Sequence, residues 1–122
     1  MCSSDLMTTM TLRQVRDEVR SGQRSALEVC EAVLARIEAH NPTLNAFNTV
    51  TRERALERAA AVDARPDKAS LPLAGVPVAI KDNLCTRGVR TTASSKILEH
   101  FVPPYDATAV AKLEAEIGRA HV

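Results

Sequence analysis

Aromatic residues are nearly missing from this chain of 122: it has two phenylalanines, one tyrosine and no tryptophan. A core here must be built mainly from aliphatic side chains. Charge of one sign is also lacking, since 16 basic and 15 acidic residues leave a formal net charge of +1. There is thus no basic excess for direct nucleic-acid binding, and any RNA contact would have to come through partners. No apolar run approaches the roughly 20 residues a spanning helix needs, and the N-terminus has no signal-peptide core. The expectation is a protein with no membrane partner, at home in the cytoplasm or an organellar equivalent. Three cysteines are too few and too scattered for a disulfide framework or a metal site; Cys30 lies in a helical pattern and Cys85 in a loop. What is present is an ordinary globular balance, 45% hydrophobic and 25% charged.

The two ends stand apart from the rest. Met1–Leu6 and Glu116–Val122 can be back-translated into one nucleotide string and its reverse complement, of the kind that flanks an insert as a sequencing adapter. The expectation is that residues 1–6 and 116–122 are not protein of biological origin and pack poorly, with Glu116 and Ile117 at most extending the last helix before Gly118 lets it fray, which leaves 7–115 as the informative part of a larger domain.

Between those ends the first half reads as helical. Leu12, Val15 and Val19 recur at helical spacing until Ser21-Gly22, and the Ser25-Ala26-Leu27-Glu28 stretch has capping-box form. Leu27, Cys30, Leu34 and Ile37 continue that second period until His40-Asn41-Pro42, so the two segments predict an N-terminal helical hairpin. Asn45–Thr51 is rich in β-formers and predicts a strand anchored by Phe47; Arg52–Ala64 returns to helix, its alternating charges marking a solvated face.

The chain is organised around Leu71–Asn83, LPLAGVPVAIKDN. Period-two alternation puts Val76, Val78 and Ile80 on one face and Pro77, Ala79 and Lys81 on the other, which predicts a short strand ending at Asp82-Asn83. Strand ends are where α/β enzymes carry chemistry. A lysine desolvated there has its charged form disfavoured and can take a proton from a hydroxyl near neutral pH; the bland alternative is a solvated surface lysine. Beyond it, Asn83–Ala93 reads as an active-site loop. Ser94 and Ser95 are better read as caps of a helical turn at Lys96–Glu99 than as nucleophiles. FVPPYD at 101–106 must be extended, and Asp106 or Thr108 then caps a last helix carrying Val110 and Leu113. Tyr105 is expected to pack with its hydroxyl satisfied.

From Leu73 to Ala115 the run LAGVPVAIKDNLCTRGVRTTASSKILEHFVPPYDATAVAKLEA resembles the amidase-signature enzymes. Within that family, Lys96–Thr108 is most similar to the A subunits of glutamyl-tRNA(Gln) amidotransferases. Ser94 departs from the pattern where many relatives have alanine, and the residues before Thr43 are only loosely similar. The resemblance implies an α/β fold, a mixed sheet covered by helices, of which this chain supplies the N-terminal part. It also implies a Ser-cis-Ser-Lys triad in which Lys81 is the lysine. The two serines would lie in a Gly/Ser-rich segment further along, so this part alone would be inactive. The substrate implied is glutamine, whose ammonia passes to the B subunit; there the glutamate on Glu-tRNA(Gln) is activated with ATP and Mg, and a small C subunit stabilises the pair. No cofactor or metal is expected in this chain itself. Two other readings remain: an amidase-signature hydrolase of small amides, and a noncatalytic helical interaction module in which Lys81 is a surface charge.

Overall fold

The computed structural model describes residues 10–118. Among these, four α-helices carry the architecture: α1 (Leu12–Ser21), α2 (Ala26–Leu44), α3 (Arg52–Asp63) and α4 (Thr108–Ile117), with single 3-10 turns at Lys68–Ser70 and Lys96–Leu98. The helical hairpin forms as its sequence signals require. Thr11 closes a capping box with Gln14 at the start of α1, and Gly22, at φ +80°, ends it in the left-handed conformation that costs glycine little. Ser25 caps α2 through the Glu28 amide. The next donors at that end are taken from outside: both carboxylate oxygens of Asp63, at the end of α3, accept the Ala26 and Leu27 amides at 2.7 and 3.0 Å. An acidic group at a helix N-terminus satisfies orphan N–H groups and complements the helix dipole, and here it also ties α3 to α2.

α2 runs past the expected stop at His40-Asn41-Pro42 and ends at Leu44, with Asn45 as a left-handed cap at φ 51°. Pro42 is tolerated in the last turn because the chain beyond it is held by Asn41, whose side-chain amide donates to the Phe47 carbonyl and accepts from the Phe47 amide.

The core is small-residue packing between helices. Val15 and Val19 of α1, Ala26, Val29, Cys30 and Leu34 of α2, and Ala55, Ala59 and Val62 of α3 are all buried together. Burial, followed by the charge of Glu31, pushes the Cys30 thiol up, so it behaves as an apolar side chain. Leu71, Ala74 and Val76 lie over this layer, and the crossing is close. Gly75 sits at φ +66°, and a Cβ there would stand 2.9 Å from both Ala26 Cβ and Val19 Cγ1. Only glycine meets both the conformation and the gap.

Three expectations are corrected. The segments 45–51 and 76–81 run without regular structure, and among the described residues there is no strand. A strand exists only as part of a ladder, no second segment runs beside either one here, and Pro77 has no N–H to offer. The charged face of α3 is not simply solvated: Arg54 and Arg58 both reach Glu114 of α4. Finally, residues 116–118 of the expected C-terminal tail pack rather than packing poorly. Glu116 and Ile117 extend α4, Ile117 is fully buried in the common core, and Gly118 caps the helix at φ +84°. The Leu73 and Gly75 amides donate to the Glu116 and Ile117 carbonyls at 3.0 and 3.4 Å, satisfying acceptors that the helix itself leaves free. Met1–Leu6 and residues 119–122 of the expected tails lie outside the described residues.

Ile117 therefore closes a core that a chain ending at Ala115 would leave open. Residues 7–115 should show no sharp cooperative urea transition by far-UV circular dichroism. In the 122-residue chain, Ile117→Ala should lower the transition by about 2–5 kcal/mol. A sharp monomeric transition for 7–115 would contradict this.

Candidate active site

Three loops meet around a cleft of about 650 Å³. One is the α2–α3 connection with Phe47, Asn48 and Thr51; the second carries Lys81 and Asp82; the third is the turn at Thr91–Ser94. Lys81 arrives there as the alternation predicts in part: Val76 is buried, Val78 and Ile80 are half-buried, and Ala79 and Lys81 are exposed, while Pro77 is half-buried. The alternation ends at Lys81 because the chain turns, with the Leu84 amide donating to the Lys81 carbonyl at 3.0 Å. In consequence Asp82 lines the same cleft as Lys81 rather than the opposite face. Lys81 makes no ion pair or side-chain hydrogen bond among the described residues and is open to solvent.

Asp82 is the hub of the site. One carboxylate oxygen accepts the Thr92 amide at 2.9 Å. The other accepts the Thr92 hydroxyl, the Asn48 side-chain amide at 2.9 Å and the Ser94 amide at 3.4 Å. Its backbone carbonyl accepts the Ala93 amide, also at 2.9 Å. Burial pushes the carboxyl up, but the hydrogen bonds from Thr92, Asn48 and Ser94 together outweigh it and hold the group below the usual carboxylate range. The turn it grips is unusual: Ala93 and Ser94 are consecutive non-glycine residues at φ 50° and 56°. Such conformations persist where surrounding contacts over-determine them.

The third loop is strapped from its other side. Gly88 and Thr91 amides donate to the Pro103 and Phe101 carbonyls, the Ala107 amide donates to the Cys85 carbonyl, and Asp106 accepts the Arg87 amide at 2.7 Å. Asp106 is thus occupied by the loop, and α4 has Ala107 at its cap position, with no side-chain cap. Ser95 stands at the cap position of the 3-10 turn, likewise without a side-chain bond. Tyr105 is exposed, its hydroxyl 3.5 Å from Cys85 Sγ. Asn48, Asp82 and Thr92 escaped the sequence reading as a group. The only local signal was polar residues at loop ends, because the bonds joining them span 10 and 34 positions.

The chain belongs to the Amidase family, whose model matches residues 28–117. It is 50% identical over 106 residues to the A subunit of glutamyl-tRNA(Gln) amidotransferase from Geobacter metallireducens, covering 86% of this chain and 22% of that protein. It is 52% identical over 106 residues to the same subunit of Thermus thermophilus, covering 87% of this chain and 21% of that one. The chain spans about a fifth of the length of these relatives. A solved structure from a vestigial protein complex bearing on the origin of an s-triazine catabolic enzyme, with inhibitor bound, superposes with a TM-score of 0.82 at 37% identity, over 93% of this chain and 25% of that one. Among the described residues no helix is long and apolar enough to cross a membrane.

The folded Asp82 pKa is depressed, so its contribution to stability is full above the unfolded carboxylate value and is lost as pH falls through the folded one. Thr92→Val removes the hydroxyl donor. In carboxyl-carbon NMR titrations Asp82 should then titrate at higher pH, and acid unfolding should begin at higher pH; an unmoved midpoint would refute the network.

Proposed function

We propose that these residues are the N-terminal part of the glutaminase component of a glutamyl-tRNA(Gln) amidotransferase, and that Lys81 is its general base. The observation that carries the reading is about 50% identity to the A subunits of different bacteria along nearly the whole chain. An amide is a poor electrophile, so its hydrolysis needs both an activated nucleophile and a site for the developing oxyanion. Neutral Lys81 takes the proton of an intermediary serine; that serine takes the proton of the nucleophilic serine, which attacks the glutamine side-chain carbonyl. Lys81 returns that proton through the intermediary serine to the leaving nitrogen, ammonia departs, and a water deprotonated by the same route releases glutamate from the acyl-enzyme. Both serines, and the opposite wall that would desolvate the lysine, come from the remaining four-fifths of the protein, where the mixed α/β sheet would also pair the extended segments. In the assembled enzyme the ammonia passes to the B subunit, which uses ATP and Mg on Glu-tRNA(Gln), with the C subunit as the stabilising partner. A second reading, an amidase of another small amide, is favoured by the 37% identity to the structure from the s-triazine-related complex. It keeps the same role for Lys81 and needs no tRNA.

The test uses a full-length chimera: a bacterial A subunit carrying residues 28–117 of this chain in place of its own, assembled with its B and C subunits. Lys81→Ala should abolish ammonia release from glutamine and leave amidation from added free ammonia largely intact. Lys81→Arg should fail nearly as badly, because a guanidinium does not deprotonate in a protein. Glutaminase activity near the parent level in either variant would overturn the assignment.

A further inference from the structure

The Lys81 side chain has no partner among the described residues, so what these residues fix is its backbone, the point from which the side chain reaches into the cleft. That backbone is held by the residue next to it. Asp82 fixes three segments that are distant in sequence: its own, the α2–α3 loop through Asn48, and the 92–94 turn through Thr92, Ala93 and Ser94. We propose that Asp82 is a positioning residue for Lys81, acting through the Thr92 hydroxyl and amide to set where the lysine amine stands in the cleft; the inference rests on the reading of Lys81 as a base.

Two features separate this from ordinary loop packing. First, the carboxylate has both oxygens engaged, and one of them takes donors from two different loops. An asparagine in its place would keep one acceptor and turn the other into a donor facing donors. Second, the turn that Asp82 holds carries two adjacent left-handed non-glycine residues, a conformation that disfavours each of them. A turn under that strain relaxes when its anchor is removed, and Lys81, one residue from the anchor, moves with it. Thr92 is buried, so its hydroxyl has little water to turn to if the carboxylate is lost.

The full-length chimera assembled with its partner subunits provides the test. Asp82→Asn should lower kcat for glutamine hydrolysis by about 10- to 100-fold, the scale of an ångström-sized misplacement, with KM for glutamine within about twofold of the parent. Thr92→Val should show the same kcat-specific loss. Thr92→Ser, which keeps the hydroxyl, should recover at least about half of the parent kcat. Ammonia-driven amidation should stay near parent values in all three, with the melting temperature lowered by no more than a few degrees, the share of stability that the Asp82 hydrogen bonds supply. An unchanged kcat in Asp82→Asn overturns the proposal. A loss of glutaminase accompanied by equal loss of ammonia-driven activity, or by a large fall in melting temperature, overturns it too, since it would mark a purely structural role. Lys81→Ala run in parallel separates the two readings: if it is inactive while Asp82→Asn is normal, only the positioning role fails; if it is active, the base assignment fails and the positioning role with it.

Discussion

The close approach at Gly75 is the constraint on which the remaining structure depends. It lets the 71–76 segment cross directly over α1 and α2, with the glycine in a gap between Val19 and Ala26 too narrow for a methyl group. That crossing does three things at once. It buries Leu71, Ala74 and Val76, it presents the Leu73 and Gly75 amides to the end of α4, and it aims the next five residues at the cleft. A segment displaced by a Cβ would lose its hydrogen bonds to α4 and deliver Lys81 elsewhere. Overpacking at such a contact costs about 1–3 kcal/mol before backbone strain is added.

Much of this was legible in the sequence, and the reason differs by element. The helices were readable because their signals are local: Thr11 with Gln14, Ser25 with Glu28, and Gly22 lie within a turn of what they cap. Lys81 stood out through the spacing and punctuation of its segment, and through a family pattern. The hydrogen bonds of the site were not readable, since Asn48, Asp82 and Thr92 come together only when three loops meet. Two misreadings have physical causes. β-former content at 45–51 and alternation at 76–81 record local preference and which face is buried, whereas a strand also needs a neighbour, and neither signal says anything about that. The Glu116-Ile117-Gly118 stretch was set aside on its back-translation, yet an isoleucine at the right register of an amphipathic helix is buried by the same forces whatever its origin.

The polar ties share a design. Asp63 binds two amides of α2, Asp106 binds the Arg87 amide, and Asp82 binds amides of Thr92 and Ser94. In each case a carboxylate satisfies backbone donors that no helix or sheet would otherwise pair. Charge-assisted bonds of this kind are stronger than neutral ones, and they fix a loop without needing bulk. A chain with two phenylalanines and one tyrosine has little bulk to spend on its loops.

Those ties also divide the work between scaffold and chemistry. Arg54 and Arg58 hold α4 to α3 through Glu114, and Arg54 reaches on to the Arg87 carbonyl at 2.7 Å. Arg87 in turn donates its amide to Asp106, so the helical layer grips the far side of the loop whose near side Asp82 grips. Lys81 is left with a backbone fixed from both directions and an amine that meets no partner among the described residues. A base must be held in place and still be able to change its proton count, and a permanent carboxylate partner on the amine would oppose that by favouring the charged form. Asp82 lies next to Lys81 in sequence and lines the same cleft, but its oxygens are committed to Thr92, Asn48 and Ser94. The carboxylate that follows Lys81 in sequence is engaged with the neighbouring loops, and no ion pair joins it to the amine among the described residues.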